Sequence, residues 1–179
     1  INNLEQRVKE FIGHSKIFLN KLLAVFNMLF GQNFPDAFFH KAREWAEQEF
    51  GKDDILSQHL EKHANFIILV INLRNASEHR DSFLALTIDN FRLDAMGNLY
   101  EPMMSLKGEN KKNNVNYNID LSVKTSLEQL FETLLSFGEL LVVCMLSKKF
   151  PDHFPWQILQ IPADKIRQEV PLNYQVGIN

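Results

Sequence analysis

A chain of 179 residues, 45% hydrophobic and 23% charged, is long enough to bury one real core and too short for two large domains. Its net charge of −3 excludes a surface that is basic throughout, so any nucleic-acid contact must come from a local patch. The single cysteine, Cys144 in LLVVCML, excludes an internal disulfide and a cysteine zinc site, and reads as a buried, inert thiol.

From Asn3 to Phe30, apolar residues recur as Leu4, Val8, Phe11, Ile12, Phe18, Leu22, Val25, Phe26 and Leu29. This three-and-four spacing predicts a long amphipathic helix that ends at Gly31. Pro35 and Asp36 suit the first turn of a second helix, running through Phe38, Ala42, Trp45 and Ala46 to Gly51. Asp53 or Asp54 can cap a third, from about Ile55 to His79. FLALTIDNFRLDAMGNLYEPMMSLKG then alternates apolar and polar residues about a Met-Gly-Asn turn, which predicts a β-hairpin. ENKKNNVNYN reads as a polar loop, with at most a short strand after it. Asp120 or Ser122 opens another strong helix, with Leu127, Leu130, Phe131, Leu134, Leu135, Phe137, Leu141 and Val142 on its buried side.

Beyond Phe150, the prolines Pro151, Pro155, Pro162 and Pro171 break the chain into a tail, with at most a short helix near Asp164 to Glu169. The expected fold is mainly α, a helical bundle of four to five helices over residues 1–150 with a small β-hairpin and loop insertion at about 83–119. The tail, residues 151–179, is expected to pack on the bundle or on a partner. No apolar run is read as approaching the ~18 residues of a membrane span, and no signal peptide is visible. The expectation is a cytoplasmic protein with no membrane partner.

The chemistry concentrates in INLRNASEHR, residues 71–80, directly after the apolar run NFIILV. On a helix, Phe66, Leu69, Val70, Leu73 and Ala76 form one apolar face, while Ile68, Asn72, Asn75 and His79 form a second stripe. That second stripe is polar but uncharged, which suits a subunit interface or a cleft better than a solvated face. Asn75 and His79 are four apart and can touch, as can Arg74 and Glu78. Arg74 and His79 are five apart, about 140° around an ideal helix, so they do not normally meet within one chain. The plain alternative pairs Arg74 with Glu78 and leaves His79 to end the helix, its charge favoured by the helix dipole.

Arg74-Asn75-x-x-x-His79 resembles the R-(polar)-x-x-x-H signature of the HEPN superfamily (higher eukaryotes and prokaryotes nucleotide-binding domains), near the end of a long apolar helix in a mainly helical chain. The resemblance covers residues 1–150 and implies a dimer in which two motifs face each other in one cleft. It further implies a metal-independent endoribonuclease, a toxin or defence component, with an antitoxin or other protein as candidate partner. In that role Arg74 would hold and polarise the scissile phosphate through its permanently charged fork. His79 would be the general base or acid, and Asn75 would orient the imidazole or contact the phosphate. The RNA 2′-hydroxyl would attack the adjacent phosphorus and leave a cyclic phosphate. No metal and no cofactor is expected. The rival expectation is a non-catalytic HEPN-like module that binds nucleotide, RNA or protein through the same cleft, and a third is an unrelated bundle with a coincidental Arg-His pair.

Other constellations are weaker. His59 and His63 are four apart, but the glutamate between them, Glu61, does not make the H-E-x-x-H of zinc peptidases, and the pair reads as exposed histidines. LKGENKK lacks a phosphate-cradling P-loop, and no serine-hydrolase elbow occurs. Phe34, Phe38, Phe39, Trp45 and Phe50 read as core, not as a base-stacking platform. Lys107, Lys111, Lys112, Lys148 and Lys149 could supply local phosphate contacts but read first as solvated loop and helix-end charges. Trp156 is expected to pin the tail to the bundle or to a partner.

Overall fold

The computed structural model describes residues 3–79, 83–110, 115–150, 156–167 and 172–178. Lys111 and Lys112, three of the tail prolines, Glu169 and the side chain of Trp156 lie outside the described residues. Helix α1 (Leu4–Phe30) follows its predicted period and stops at Gly31, which adopts φ +67°. Helix α2 (Phe39–Phe50) starts later than Pro35-Asp36 predicts. The Asn27 side chain grips Phe34 at both its carbonyl (2.9 Å) and its N–H (3.1 Å), and the chain turns through Ala37 at φ +66° before helix can form.

Helices α3 (Ile55–Lys62) and α4 (Ala64–Glu78) divide what the periodicity predicts as one helix. Asp54 caps α3 by accepting from the Leu56 N–H at 3.0 Å. His63 closes it, with its N–H and its Nδ1 both turned to the His59 carbonyl, at 3.3 and 2.9 Å. A carbonyl occupied by a side chain cannot fully support the next helical turn.

The largest departure follows α4. Strands β1 (Leu84–Asp89), β4 (Met103–Asn110) and β5 (Val115–Ser122) form a three-stranded antiparallel sheet in the order β1-β4-β5. The short ribbon β2 (Arg92–Leu93) with β3 (Leu99–Tyr100) carries the predicted Met-Gly-Asn turn, which Asp94 holds by accepting from the Met96 and Asn98 N–H groups. Strand β5 begins inside the segment expected to be loop and continues through the place of the short strand expected after it, paired with β4 from Asn110↔Val115 to Met103↔Ser122. Val115, Tyr117, Ile119 and Leu121 alternate there with polar residues, a period of two that the asparagine-rich composition disguises.

Helix α5 (Val123–Lys149) follows directly, and β6 (Trp156–Gln160) pairs with β7 (Tyr174–Ile178) across a 3-10 turn at Ala163–Lys165. The expectation of a helical bundle with a small hairpin insertion is therefore corrected. Five helices, a three-stranded sheet and two two-stranded ribbons, among the described residues, make a mixed α/β fold. A second correction concerns α5, which is long and apolar enough to cross a membrane by length and composition, with a mean hydropathy of 1.8 over its best window. Its buried residues Leu130, Leu134, Phe137, Leu141, Cys144 and Met145 recur at the spacing of one helical stripe.

The chain divides into two compact units, Ile1–Lys21 with Asn65–Leu134, and Leu22–Ala64 with Leu135–Asn179. In the first, Val8 and Ile12 of α1, Leu73 of α4, Leu84, Met104, Leu106 and Tyr117 of the sheet, and Val123 of α5 form one buried core. Gly108, at φ +123°, lies opposite Leu84, where a Cβ would run into the Phe83 carbonyl. In the second, Phe26, Phe30, Phe34, Trp45 and Phe50 pack ring to ring with centroids 4.8–6.1 Å apart. Phe39 packs on Phe137, whereas Phe38, expected in the core, is exposed beside His40. Glu139 of α5 accepts from the Tyr174 N–H (2.8 Å) and the Asn173 amide (2.7 Å), which ties the start of β7 to the helix.

Candidate functional site

The last turn of α4 holds the predicted motif, and its first structural feature is Asn72. That residue is buried: its amide donates to the Tyr117 hydroxyl, and its carbonyl accepts from the Asn110 amide, both at 2.8 Å. Asn72 is thus used within the chain, joining α4 to β4 and β5, and the uncharged stripe is not available as a whole to a partner. This corrects its expected place in an interface stripe. The signal that could have shown it, a tyrosine on a strand 45 residues away, needs the fold.

One and two turns further, the side chains reach the surface. Arg74 forms an ion pair with Glu78, with the two side chains 26% and 45% exposed. A second guanidinium nitrogen donates to the Asn75 side-chain oxygen Oδ1 at 3.4 Å, a long hydrogen bond. Ser77 donates to the Arg74 carbonyl at 2.7 Å, which helps satisfy the last turn of the helix. The His79 N–H continues the helical ladder to the Asn75 carbonyl at 2.9 Å, while its side chain is exposed. The fold therefore brings Arg74, Asn75 and Glu78 together. It does not bring Arg74 to His79, as the 140° offset predicts, and Glu78, to which the motif gives no role, is the direct partner of the arginine.

Beside this turn lies a cleft of about 860 Å³, lined by Ser77 and Glu78 of α4, by Lys9, Glu10 and His14 of α1, and by Asn90 after β1. Glu5 also lines it and pairs with Lys9. Three carboxylates against one lysine make the cleft hydrogen-bonding and acidic, so a phosphate chain would be drawn to the Arg74 side and not into it. Of the lysines considered for phosphate, Lys107 is exposed on β4, Lys148 pairs with Asp54, and Lys149 lies 5.3 Å from the centre of the Phe30 ring.

The histidine pair of α3 is structural. His59 is buried, stacks on the Phe137 ring and donates from Nε2 to the Phe137 carbonyl at 3.0 Å, which corrects its expected exposure. Burial is the main cause that lowers its pKa to about 4; the Phe137 bond opposes this, and His63 and Lys62 add to it. Among the described residues, no three His, Cys, Asp or Glu side chains converge on a metal position. Burial also raises the Cys144 thiol above its ordinary range.

Compared with protein-family models, curated proteins and solved structures, the chain matches none of them.

Proposed function

We propose that the protein is an RNA-directed homodimer with a HEPN-like motif, a metal-independent endoribonuclease in which Arg74 and Asn75 hold the scissile phosphate and His79 moves the proton. The observation that carries this reading is the state of Arg74. Its side chain is about a quarter exposed, reaches the Asn75 side-chain amide oxygen at 3.4 Å, and pairs with a surface glutamate one turn away. An exposed i,i+4 ion pair stabilises by roughly 0.3–0.5 kcal/mol. A charge-assisted hydrogen bond contributes about 1.5–3 kcal/mol, so a phosphodiester displaces Glu78.

Arg74 and His79 of one chain point to different sectors of α4, and a two-fold pair of chains resolves that offset. Each Arg74 then works with the His79 of the other copy. A neutral His79 takes the proton of the RNA 2′-hydroxyl as that oxygen bonds to phosphorus. The bond from phosphorus to the 5′-oxygen breaks, and the imidazolium returns a proton to the leaving oxygen. The products are a 2′,3′-cyclic phosphate and a 5′-hydroxyl. DNA, which lacks the attacking hydroxyl, is spared. A toxin or defence role in the cytoplasm, restrained by a protein partner, is consistent with such an activity.

One observation favours the rival reading of a non-catalytic nucleotide-, RNA- or protein-binding module: Glu78 neutralises Arg74 next to an acidic cleft. The two are separated by incubating wild type and His79→Ala with RNA in EDTA. Cleavage by wild type alone supports the nuclease. RNA retained without cleavage supports the binding module, and equal cleavage by both proteins removes His79 from the chemistry.

A further inference from the structure

One wall of the cleft beside the last turn of α4 is a single stripe of α1. Gln6, Glu10, Gly13, His14 and Ile17 recur there at three- and four-residue spacing, all within the first unit. Gly13 is the member that the fold alone does not explain. It lies inside a 27-residue helix with no positive φ, and a Cβ built on it meets nothing within 4 Å. Neither a turn nor a close packing partner calls for glycine, which destabilises a helix interior relative to alanine. Its missing side chain instead leaves open space along the cleft wall.

The rest of the wall suits a flat ring with a polar edge. Ile17 and the half-buried Ile88 of β1 offer apolar surface against which the face of a base can lie. Glu10 stands one turn before Gly13. The Gln6 amide donates to one of its carboxylate oxygens at 2.9 Å, which orients the group and leaves acceptor capacity on both oxygens. Of the other two cleft carboxylates, Glu5 pairs with Lys9 and Glu78 with Arg74. Glu10 has no cation partner among the described residues.

We propose that this cleft receives the base of the RNA nucleotide whose phosphate sits on Arg74, and that Glu10 selects guanine. The inference rests on the phosphate-binding role of Arg74 given above. A carboxylate presents two acceptors side by side, and guanine presents N1–H and N2–H as two adjacent donors on its Watson–Crick edge. Adenine and cytosine set one amino donor beside a ring-nitrogen acceptor, and uracil flanks its one N–H with two carbonyls. Each of these three turns a lone pair toward the carboxylate. The acidic wall that repels a phosphate thus favours the donor edge of one base. At about 860 Å³ the cleft has room for a purine along α1.

Calorimetric titration of the full chain with 3′-GMP, 3′-AMP, 3′-CMP and 3′-UMP tests this, since none carries the bond that the proposed nuclease breaks. Wild type should bind 3′-GMP about tenfold more tightly than the other three, the discrimination of a bidentate pair. Glu10→Gln should erase that preference, because an amide offers one acceptor and one donor. Gly13→Ala should melt at a higher temperature than wild type yet bind 3′-GMP more weakly, a split that a purely structural glycine would not show. Failure of all four to bind, equal binding of the four by wild type, or a guanine preference that survives Glu10→Gln overturns the proposal. So does a Gly13→Ala variant with wild-type affinity for 3′-GMP. A wild type that prefers 3′-GMP through Glu10 but leaves RNA uncut supports the base site and overturns the nuclease reading instead.

Discussion

Glu78 sets how much of Arg74 is free. Because the pair is partly exposed and joins adjacent turns, its removal changes the arginine's availability by only a few tenths of a kcal/mol. Glu78→Gln should therefore strengthen RNA binding about twofold, measured by fluorescence anisotropy at low salt, and the gain should shrink as salt is added. A loss of binding would mean that Glu78 positions the guanidinium instead of competing for it. His59 shows the opposite case, a buried group with no part in the site. Its pKa is near 6.5 unfolded and about 4 folded, so the unfolded chain binds the extra proton between those values. The stability from neutral His59 is complete above about pH 6.5 and is lost as pH falls toward 4, roughly 3 kcal/mol at about 1.36 kcal/mol per unit. Urea unfolding followed from pH 7 to 4 should show this loss in wild type. His59→Phe should remove that part of the slope.

At the scale of elements, Asn72 is the pin that joins α4 to the sheet. Asn72→Ala leaves the Tyr117 hydroxyl and the Asn110 amide without their partner, and should lower unfolding stability by about 1–3 kcal/mol in urea melts. An unchanged midpoint would show that these bonds contribute nothing net. The same residue shows what can be seen before the fold is known. Helices α1 and α5 are legible because their apolar residues recur every three or four positions, a local property of the chain. The Arg74–Glu78 pair is legible for the same reason, being set by helical spacing alone. Strand β5 is not, because asparagines fill the polar half of its alternation and resemble loop composition. The break at His63 and the burial of Asn72 depend on side-chain partners, one a turn away and one on a distant strand, which periodicity does not carry.

At the scale of the molecule, Arg74 stands close to the carboxylates of the cleft on a chain of net charge −3. That charge supplies no surplus of basic residues, so in the proposed reading RNA affinity would come from a few contacts, and a two-fold pair would double those that one chain offers. Co-expression of Arg74→Ala with His79→Ala tests that shared site most directly, by the rate of 2′,3′-cyclic phosphate formation from RNA in EDTA. Either variant expressed alone should be slower than wild type by about 100-fold or more, the usual contribution of a positioned acid or base. The co-expressed pair should recover a substantial fraction of the wild-type rate, because mixed dimers retain one intact Arg74–His79 combination. A mixed preparation as inactive as either variant, or a wild type that leaves RNA uncut, would contradict the account.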